Sequence, residues 1–228
     1  DSTIWQRIGP NIKEMRKFFK SKHHTKYFIA SGVGLYKMFM EPKGIKGLMM
    51  KLSLGAPPVY LGKNGVLMIG GGLKRLPPEI TSLSQVVKST SDKIYLEKNG
   101  KGTPAPVIDM LGLTESGNVF IGLPNDPNSE ELWAKYPHPL SYTALLNSPN
   151  DLTPVKNPKA GKEYLLFYVN FATLDYIEAI IPGDFVLPAN DTSTIKTIMG
   201  DRNISQRGFI YSRRAEVDEG FKIREGCG

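Results

Sequence analysis

The sequence predicts an α+β, β-rich fold: an antiparallel sheet body, sandwich or barrel-like, with an N-terminal basic amphipathic helix and a few short peripheral helices. Seventeen Pro and 23 Gly are spread along the 228 residues and divide the chain into short apolar runs. Such runs are typical of strands joined by turns. A hydrophobic content of 40% is enough to build a core in a chain of this length.

Positive charge is concentrated at the front of the chain. Residues 1–51 carry 11 of the 29 Lys and Arg and 3 of the 22 Asp and Glu, a net charge of +8, whereas the remaining residues sum to −1. A cationic end on a neutral body indicates a polyanionic partner: RNA, DNA or an acidic lipid surface. We therefore predict a basic arm over residues 1–26 and a single β-rich globular domain over 27–228, with a candidate loop or sub-domain break near the polar stretch 147–162.

The arm has the pattern of an amphipathic helix over residues 10–21 that begins at Pro10. Its apolar face is predicted to insert into lipid or dock on a neighbouring subunit, and consists of Ile12, Met15, Phe18 and Phe19. Its basic residues are predicted to bind the anion, and are Lys13, Arg16, Lys17, Lys20 and Lys22. The alternative is a helix that docks on the body with its lysines in solvent.

Elements of the first half of the body are predicted from apolar runs and turn residues. Strands are predicted over 27–30 and 34–40, and a hairpin over 59–69 turns at Gly62-Lys63-Asn64-Gly65. A helix is predicted from Pro77 to Lys88, followed by a strand over 93–97.

The second half is predicted to contain further strands with short helices between them. Strands are predicted over 107–111, 119–121, 185–187 and 208–217, and a strand buried on both faces over 163–171. Short helical segments are predicted from Ser129 to Trp133, over 142–146, and between Asp191 and Gly200. Residues 173–181 fit either a helix or a strand.

The last strand carries a second set of candidate anion-binding residues: Arg202, Arg207, Phe209, Tyr211 and Arg213. Strand alternation places Phe209, Tyr211 and Arg213 on one face, where they would stack on and neutralise a single-stranded nucleic acid. The run Arg207-Gly208-Phe209 with Tyr211 resembles part of the RNA-recognition-motif consensus and departs from it at the three residues Ile210, Ser212 and Arg214. The alternative is an edge strand whose aromatic residues pack inward.

A glycine-rich run, Gly70-Gly71-Gly72 followed by Lys74, lies between a predicted strand and a predicted helix. Backbone N–H groups and a lysine in such a turn can hold a phosphate, although the spacing is not that of a P-loop or a dinucleotide fingerprint. A flexible turn is the alternative.

Other catalytic patterns are weaker. Ser116 precedes Lys156 by 40 residues in a Ser-Gly-Asn context, an arrangement similar to that of birnavirus polyprotein proteases. The polar, proline-rich surroundings of Lys156 do not favour the buried, low-pKa lysine that this chemistry requires. Three His and a single Cys, Cys227, show no metal-ligand spacing, so no metal or other cofactor is predicted.

These observations favour a non-enzymatic structural, assembly or binding protein, similar in outline to viral coat, matrix or nucleocapsid proteins. It would be a homo-oligomer without a transmembrane segment, compatible with a reducing compartment or a virion interior. The alternative is a phosphate- or nucleotide-binding enzyme that uses the loop formed by Gly70, Gly71, Gly72 and Lys74.

Overall fold

The computed structural model describes residues 17, 26–41, 44, 59–71, 76–96, 102–113, 118–138, 140–171, 178–189, 194–197, 200–203 and 206–215. Within them the chain divides into two compact units. Unit 1 comprises 1–67 and 73–106, and unit 2 comprises 68–72 and 107–228. The predicted division into an arm and a single body stays a prediction.

Unit 1 combines short strands with two short helices. The strands are β1 (Tyr27–Ser31), β2 (Val59–Tyr60), the first residues of β3 (Val66–Gly70) and β4 (Ile94–Tyr95). The helices are α1 (Gly32–Leu35), which continues as a π-helical turn over Tyr36–Met40, and α2 (Leu83–Thr90), which continues as a 3-10 turn over Ser91–Lys93.

Side-chain caps decide where these helices begin. The Ser31 hydroxyl accepts a hydrogen bond from the Gly34 N–H at 3.1 Å, which turns the chain into α1 where the sequence predicted a strand. Ser82 caps α2 in the same way through the Gln85 N–H, and the Gln85 side chain accepts from the Thr81 N–H. The helix therefore begins at Leu83, several residues after the predicted start at Pro77.

The predicted hairpin over 59–69 is wrong, although its turn is present. Gly62 has φ +84, and its carbonyl accepts from the Gly65 N–H at 3.4 Å. The strands on either side of the turn pair elsewhere: β2 lies parallel to β4, and β3 belongs to a different sheet. A tight turn therefore does not by itself establish a hairpin.

Unit 2 is built on a sheet that contains the end of β3 and eight further strands: β5 (Val107–Leu113), β6 (Asn118–Gly122), β7 (Ala134–Tyr136), β8 (Ser141–Leu146), β9 (Tyr164–Asn170), β10 (Glu178–Ile180), β11 (Asp184–Pro188) and β14 (Phe209–Arg214). Their order is β3-β5-β6-β7-β14-β11-β9-β10, and β8 also pairs with β9. A separate antiparallel pair is formed by β12 (Thr194–Thr197) and β13 (Gly200–Asn203). A 3-10 turn over Glu130–Trp133 precedes β7.

The core of unit 2 lies on one face of this sheet. Its buried residues are Leu113, Phe120, Leu145, Tyr164, Leu166, Tyr168, Val186 and Phe209. Phe120 packs edge-to-face against both Tyr168 and Phe209, with ring centroids 5.0 Å apart in each pair. The predicted buried strand over 163–171 is confirmed as β9, which pairs with β8, β10 and β11.

The predicted fold class is wrong in two respects. With β1 counted, the body is a ten-stranded sheet of mixed, largely antiparallel pairing rather than an antiparallel sandwich or barrel. The helices of the described residues lie at 32–40 and 83–93, and the N-terminal helix has no support, since its residues are outside the described ranges except for the exposed, helical Lys17.

Two further predicted helices are strands. Residues 142–146 form β8, whose six residues pair continuously with β9, and residues 194–197 form β12. Both segments are short, so pairing with a neighbouring strand decided their structure over local preference. Among the described residues no helix has the length and apolar character needed to cross a membrane.

Candidate anion-binding turn at the end of strand β3

Strands β3 and β5 run in the same direction. The Leu67 N–H donates to the Pro106 carbonyl at 2.9 Å near their beginnings, and Gly70 faces Met110 near their ends. A constant offset between partners of about 40 residues along both strands is the signature of parallel pairing. The carboxyl ends of β3 and β5 therefore meet at one sheet edge, the edge at which open α/β sheets commonly bind ligands.

The end of β3 lies close to β5. A Cβ on Gly70 would lie 3.2 Å from the Met110 carbonyl oxygen, so a side chain there would require Met110 to shift by a few tenths of an ångström. Gly71 follows with φ +89, a conformation that L-residues rarely adopt. Gly71 is exposed, and its N–H has no acceptor within the described residues. Gly72 and Lys74 lie outside those residues.

A buried ion pair joins β5, the strand next to β3, to β7. The Lys135 ammonium on β7 donates to the Asp109 carboxylate on β5 and, at 3.0 Å, to the Trp133 carbonyl. Gly122 of β6 lies between them, in register with Lys135, and any Cβ there would be 2.9 Å from the Ala134 carbonyl. The absent side chain at Gly122 lets Lys135 span the middle strand.

Burial dominates the electrostatics of this pair. The side chains of Lys135 and Asp109 are 4% and 7% exposed. Loss of water raises the pKa of Asp109 above its ordinary value, and the charge of Lys135, its hydrogen bond and the Met110 N–H offset only part of that rise. Because the pair is shielded from solvent, it acts by joining β5 to β7 and not by contacting a ligand.

Sequence reasoning did not single out Asp109 or Lys135. A signal was present, because Asp109 occupies the alternation of Val107 and Leu113, which face the core. A carboxylate at a core position implies a buried partner. Which residue is the partner of Asp109 depends on the order of the strands, because Lys135 lies on β7, the second strand from β5. The sequence does not specify that order.

The structure does not bring together the three predicted nucleic-acid-binding residues of β14. Phe209 is buried at 1% exposure and Tyr211 is 38% exposed on the same side. A register shift opposite Phe185 and Val186 places Arg213 on the other face. There its guanidinium lies 4.2 Å from the Phe185 ring centroid, and its Nε donates to Glu163 at 3.0 Å.

The other predicted anion-binding and docking residues are mostly outside the described ranges. Those residues are Ile12, Lys13, Met15, Arg16, Phe18, Phe19, Lys20 and Lys22. Arg202 lies in β13, where its side chain is not described, and Arg207 lines a surface cleft. Their role in binding stays a prediction, and the described residues give no support to a polyanion or an oligomer as partner. Within those residues, no group of three or more His, Cys, Asp or Glu is placed to hold a metal ion.

No family model and no curated protein matches the chain. Several solved structures do. An artificially fused adenylation–PCP di-domain NRPS, NpsA-ThdA from Klebsiella oxytoca, is 14% identical over 89% of this chain and 35% of its own, with a TM-score of 0.44. A long-chain-fatty-acid-CoA ligase, FadD1 from Archaeoglobus fulgidus, is 11% identical over 91% and 38%, with a TM-score of 0.49.

A third similar structure, IdnL1, is 13% identical over 90% of this chain and 38% of its own, with a TM-score of 0.43. The chain thus spans 35 to 38% of the length of these three structures. The names of two of them describe an adenylation protein and a CoA ligase, and none of the three names describes a viral or nucleic-acid-binding protein. The interpretation as a viral coat, matrix or nucleocapsid-like structural protein is wrong.

Proposed function

We propose that the chain is part of a phosphate- or nucleotide-binding enzyme in which the turn after β3 contacts a phosphate group. One observation carries the proposal: a side-chain-free turn, Gly70-Gly71, follows a strand whose carboxyl end lies beside that of a parallel neighbour. Exposed backbone N–H groups at such a position bind anions because they are donors with no side chain in the way.

The surroundings of the turn fit this use. Gly70 rests against Met110, and the next residue of β5 toward its start, Asp109, is fixed to β7 by the buried ion pair with Lys135. The Gly71 N–H therefore lies next to a strand, β5, that is fixed in place by this ion pair. A fixed position lowers the loss of conformational entropy on ligand binding. Lys74, four residues after Gly70, would supply the cation.

The test is direct binding of AMP, ADP and inorganic pyrophosphate, each with Mg²⁺, by isothermal titration calorimetry. We expect saturable binding that Gly71→Ala weakens by about tenfold or more, since alanine is strained at this φ and the backbone of residue 71 must move. Lys74→Ala should weaken pyrophosphate and ADP more than AMP, because it removes charge near the added phosphate.

The matched control is Gly112→Ala. Gly112 is an exposed glycine on β5 whose added Cβ would meet no described residue within 4 Å, so this variant should bind like the unaltered chain. The proposal fails if none of the three probes binds at concentrations up to about 10 mM, or if Gly112→Ala weakens binding as much as Gly71→Ala does.

A further inference from the structure

A cleft of about 200 Å³ lies along the free edge of β8, in unit 2. It is lined by residues 142–145 of β8, by residues 207–209, and by four loop residues, Pro154, Val155, Lys156 and Pro158. Among the residues that the structure describes, the lining includes two cationic side chains, Lys156 and Arg207, and no acidic one. This cleft is separate from the turn after β3, and its chemistry is independent of the function proposed for that turn.

Backbone groups of β8 that point away from β9 are already partly paired. The Gln206 side chain donates through Nε2 to the Ser141 carbonyl at 2.5 Å and accepts through Oε1 from the Thr143 N–H at 3.4 Å. Farther along, the Leu145 carbonyl accepts from the Val155 N–H at 2.8 Å. Residues 141, 143 and 145 therefore direct their N–H and carbonyl groups to the free edge.

One pair of backbone groups on this edge, here called a rung, has no hydrogen-bond partner among the described residues. By the same alternation the Thr143 carbonyl and the Leu145 N–H face the cleft, and neither has a partner among the described residues. A carbonyl of one residue and an N–H two residues later are the two groups that a single residue of a parallel neighbouring strand would engage. The vacant rung accepts a group with one N–H donor and one oxygen acceptor.

Both neighbouring rungs are occupied, which limits what can bind. Gln206 fills the rung before the vacancy and Val155 uses the Leu145 carbonyl after it. An extended peptide cannot continue along β8 in either direction, so the occupant is one residue long at the edge. The chain of a peptide has to leave the edge on one side of a C-terminal residue, and on both sides of an internal residue.

Charge selects which terminus fits. Lys156 is exposed, forms no ion pair within the described part of the chain, and lines the cleft with Arg207. Arg207 also interacts elsewhere in the chain, and only its charge is needed here. An acceptor oxygen placed at the Leu145 N–H, in a cleft that two cations also line, is favoured when it belongs to a carboxylate.

We propose that this cleft binds the C-terminal residue of a peptide or an N-acyl amino acid. The amide N–H of the ligand donates to the Thr143 carbonyl, and its α-carboxylate accepts from the Leu145 N–H beside Lys156 and Arg207. Its side chain lies against the apolar part of the lining, which includes Tyr142, Pro154 and Pro158. The cleft is smaller than the roughly 300–1,000 Å³ of sites for drug-sized ligands, in keeping with a single residue.

The first experiment uses the unaltered chain and a series of ligands, measured by isothermal titration calorimetry. N-acetyl-leucine should bind saturably. Its C-terminal amide, which lacks the charge, and its N-methyl analogue, which lacks the donor for Thr143, should each bind about tenfold more weakly or not at all. Equal affinity of N-acetyl-leucine and its amide overturns the proposal, as does absence of binding up to about 10 mM.

A pentapeptide with a free C-terminal leucine distinguishes the two sources of the ligand. Affinity within about threefold of N-acetyl-leucine supports recognition of the last residue alone, and tighter binding identifies the peptide as the preferred source. Lys156→Ala should weaken N-acetyl-leucine binding by about tenfold. Lys159→Ala, an exposed lysine of the same loop that does not line the cleft, is the matched control and should leave affinity unchanged. An equal loss in both lysine variants overturns the proposal.

Discussion

Lys135 forms its ion pair with Asp109 across Gly122, and both charged side chains are almost fully buried. The charge of Lys135 is therefore important for stability. Lys135→Met should lower the free energy of unfolding by roughly 3–5 kcal/mol at pH 7, because the Asp109 carboxylate is left buried without a cation. The measurement is urea unfolding followed by circular dichroism. Lys88→Met, at an exposed position on α2, should change stability by less than about 0.5 kcal/mol.

The loss in Lys135→Met should depend on pH. Burial already raises the Asp109 pKa, and removing the nearby cation raises it further. Between the ordinary aspartate pKa of about 3.9 and this raised value, the folded chain keeps a proton that the unfolded chain releases, so stability falls as pH rises. The loss relative to the unaltered chain should therefore be smaller at pH 5 than at pH 7. A loss that is larger at pH 5 contradicts the raised pKa.

Removing both charges tests whether the cost arises from the unpaired ion or from lost packing. The double variant Asp109→Leu with Lys135→Met leaves no buried charge, and such replacements are often neutral or stabilising. We expect it to be more stable at pH 7 than Lys135→Met alone. A double variant less stable than that single variant would indicate that the pair is needed for packing.

At the scale of elements, the edge of β8 that faces away from β9 forms hydrogen bonds with the Gln206 side chain. Gln206→Ala removes both hydrogen bonds to β8 and should cost about 1–2 kcal/mol and increase hydrogen exchange at the Thr143 amide. Gln206→Glu keeps the oxygen that accepts from Thr143 but removes the donor to Ser141, so the Thr143 amide should remain protected. Unchanged exchange in Gln206→Ala contradicts this role.

Elements with a strong local signal were predicted from the sequence. The apolar runs of β5, β6, β9, β11 and β14 were placed within about three residues of their observed ends. Short segments were not: residues 34–40 turned helical through the Ser31 cap, and residues 142–146 became a strand because β9 supplies a continuous partner. In such segments a single cap or neighbour outweighs the preferences of a few residues.

At the scale of the whole molecule, the order of the strands in the sheet could not be predicted from the sequence. The candidate turn was identified from its glycines, but its position beside β5 depends on a parallel pairing between residues about 40 apart, which no local pattern encodes. The bulge that places Arg213 on the opposite face from Tyr211 could not be predicted either. The sequence alternates regularly here, and the one extra residue of the bulge reverses which side chains share a face.

Unit 2 is formed by two separate segments of the chain, residues 68–72 and 107–228. Residues 68–72 belong to unit 2, although the chain between them and β5 belongs to unit 1. Unit 2 therefore needs the end of β3, which would otherwise leave the edge of β5 unpaired. When residues 1–106 and 107–228 are co-expressed as separate chains with an affinity tag on one, we expect them to purify together.

Association of the two fragments should depend on the close approach at Gly70. Gly70→Val in the first fragment places a branched side chain where even a Cβ lies 3.2 Å from the Met110 carbonyl, and should weaken association about tenfold or more by overpacking. Gly112→Val in the second fragment adds the same side chain where a Cβ meets nothing within 4 Å in the described part of the chain, and should be tolerated. If the fragments remain together in Gly70→Val and separate in Gly112→Val, the β3–β5 contact does not hold them. Titration of one purified fragment into the other gives the affinities.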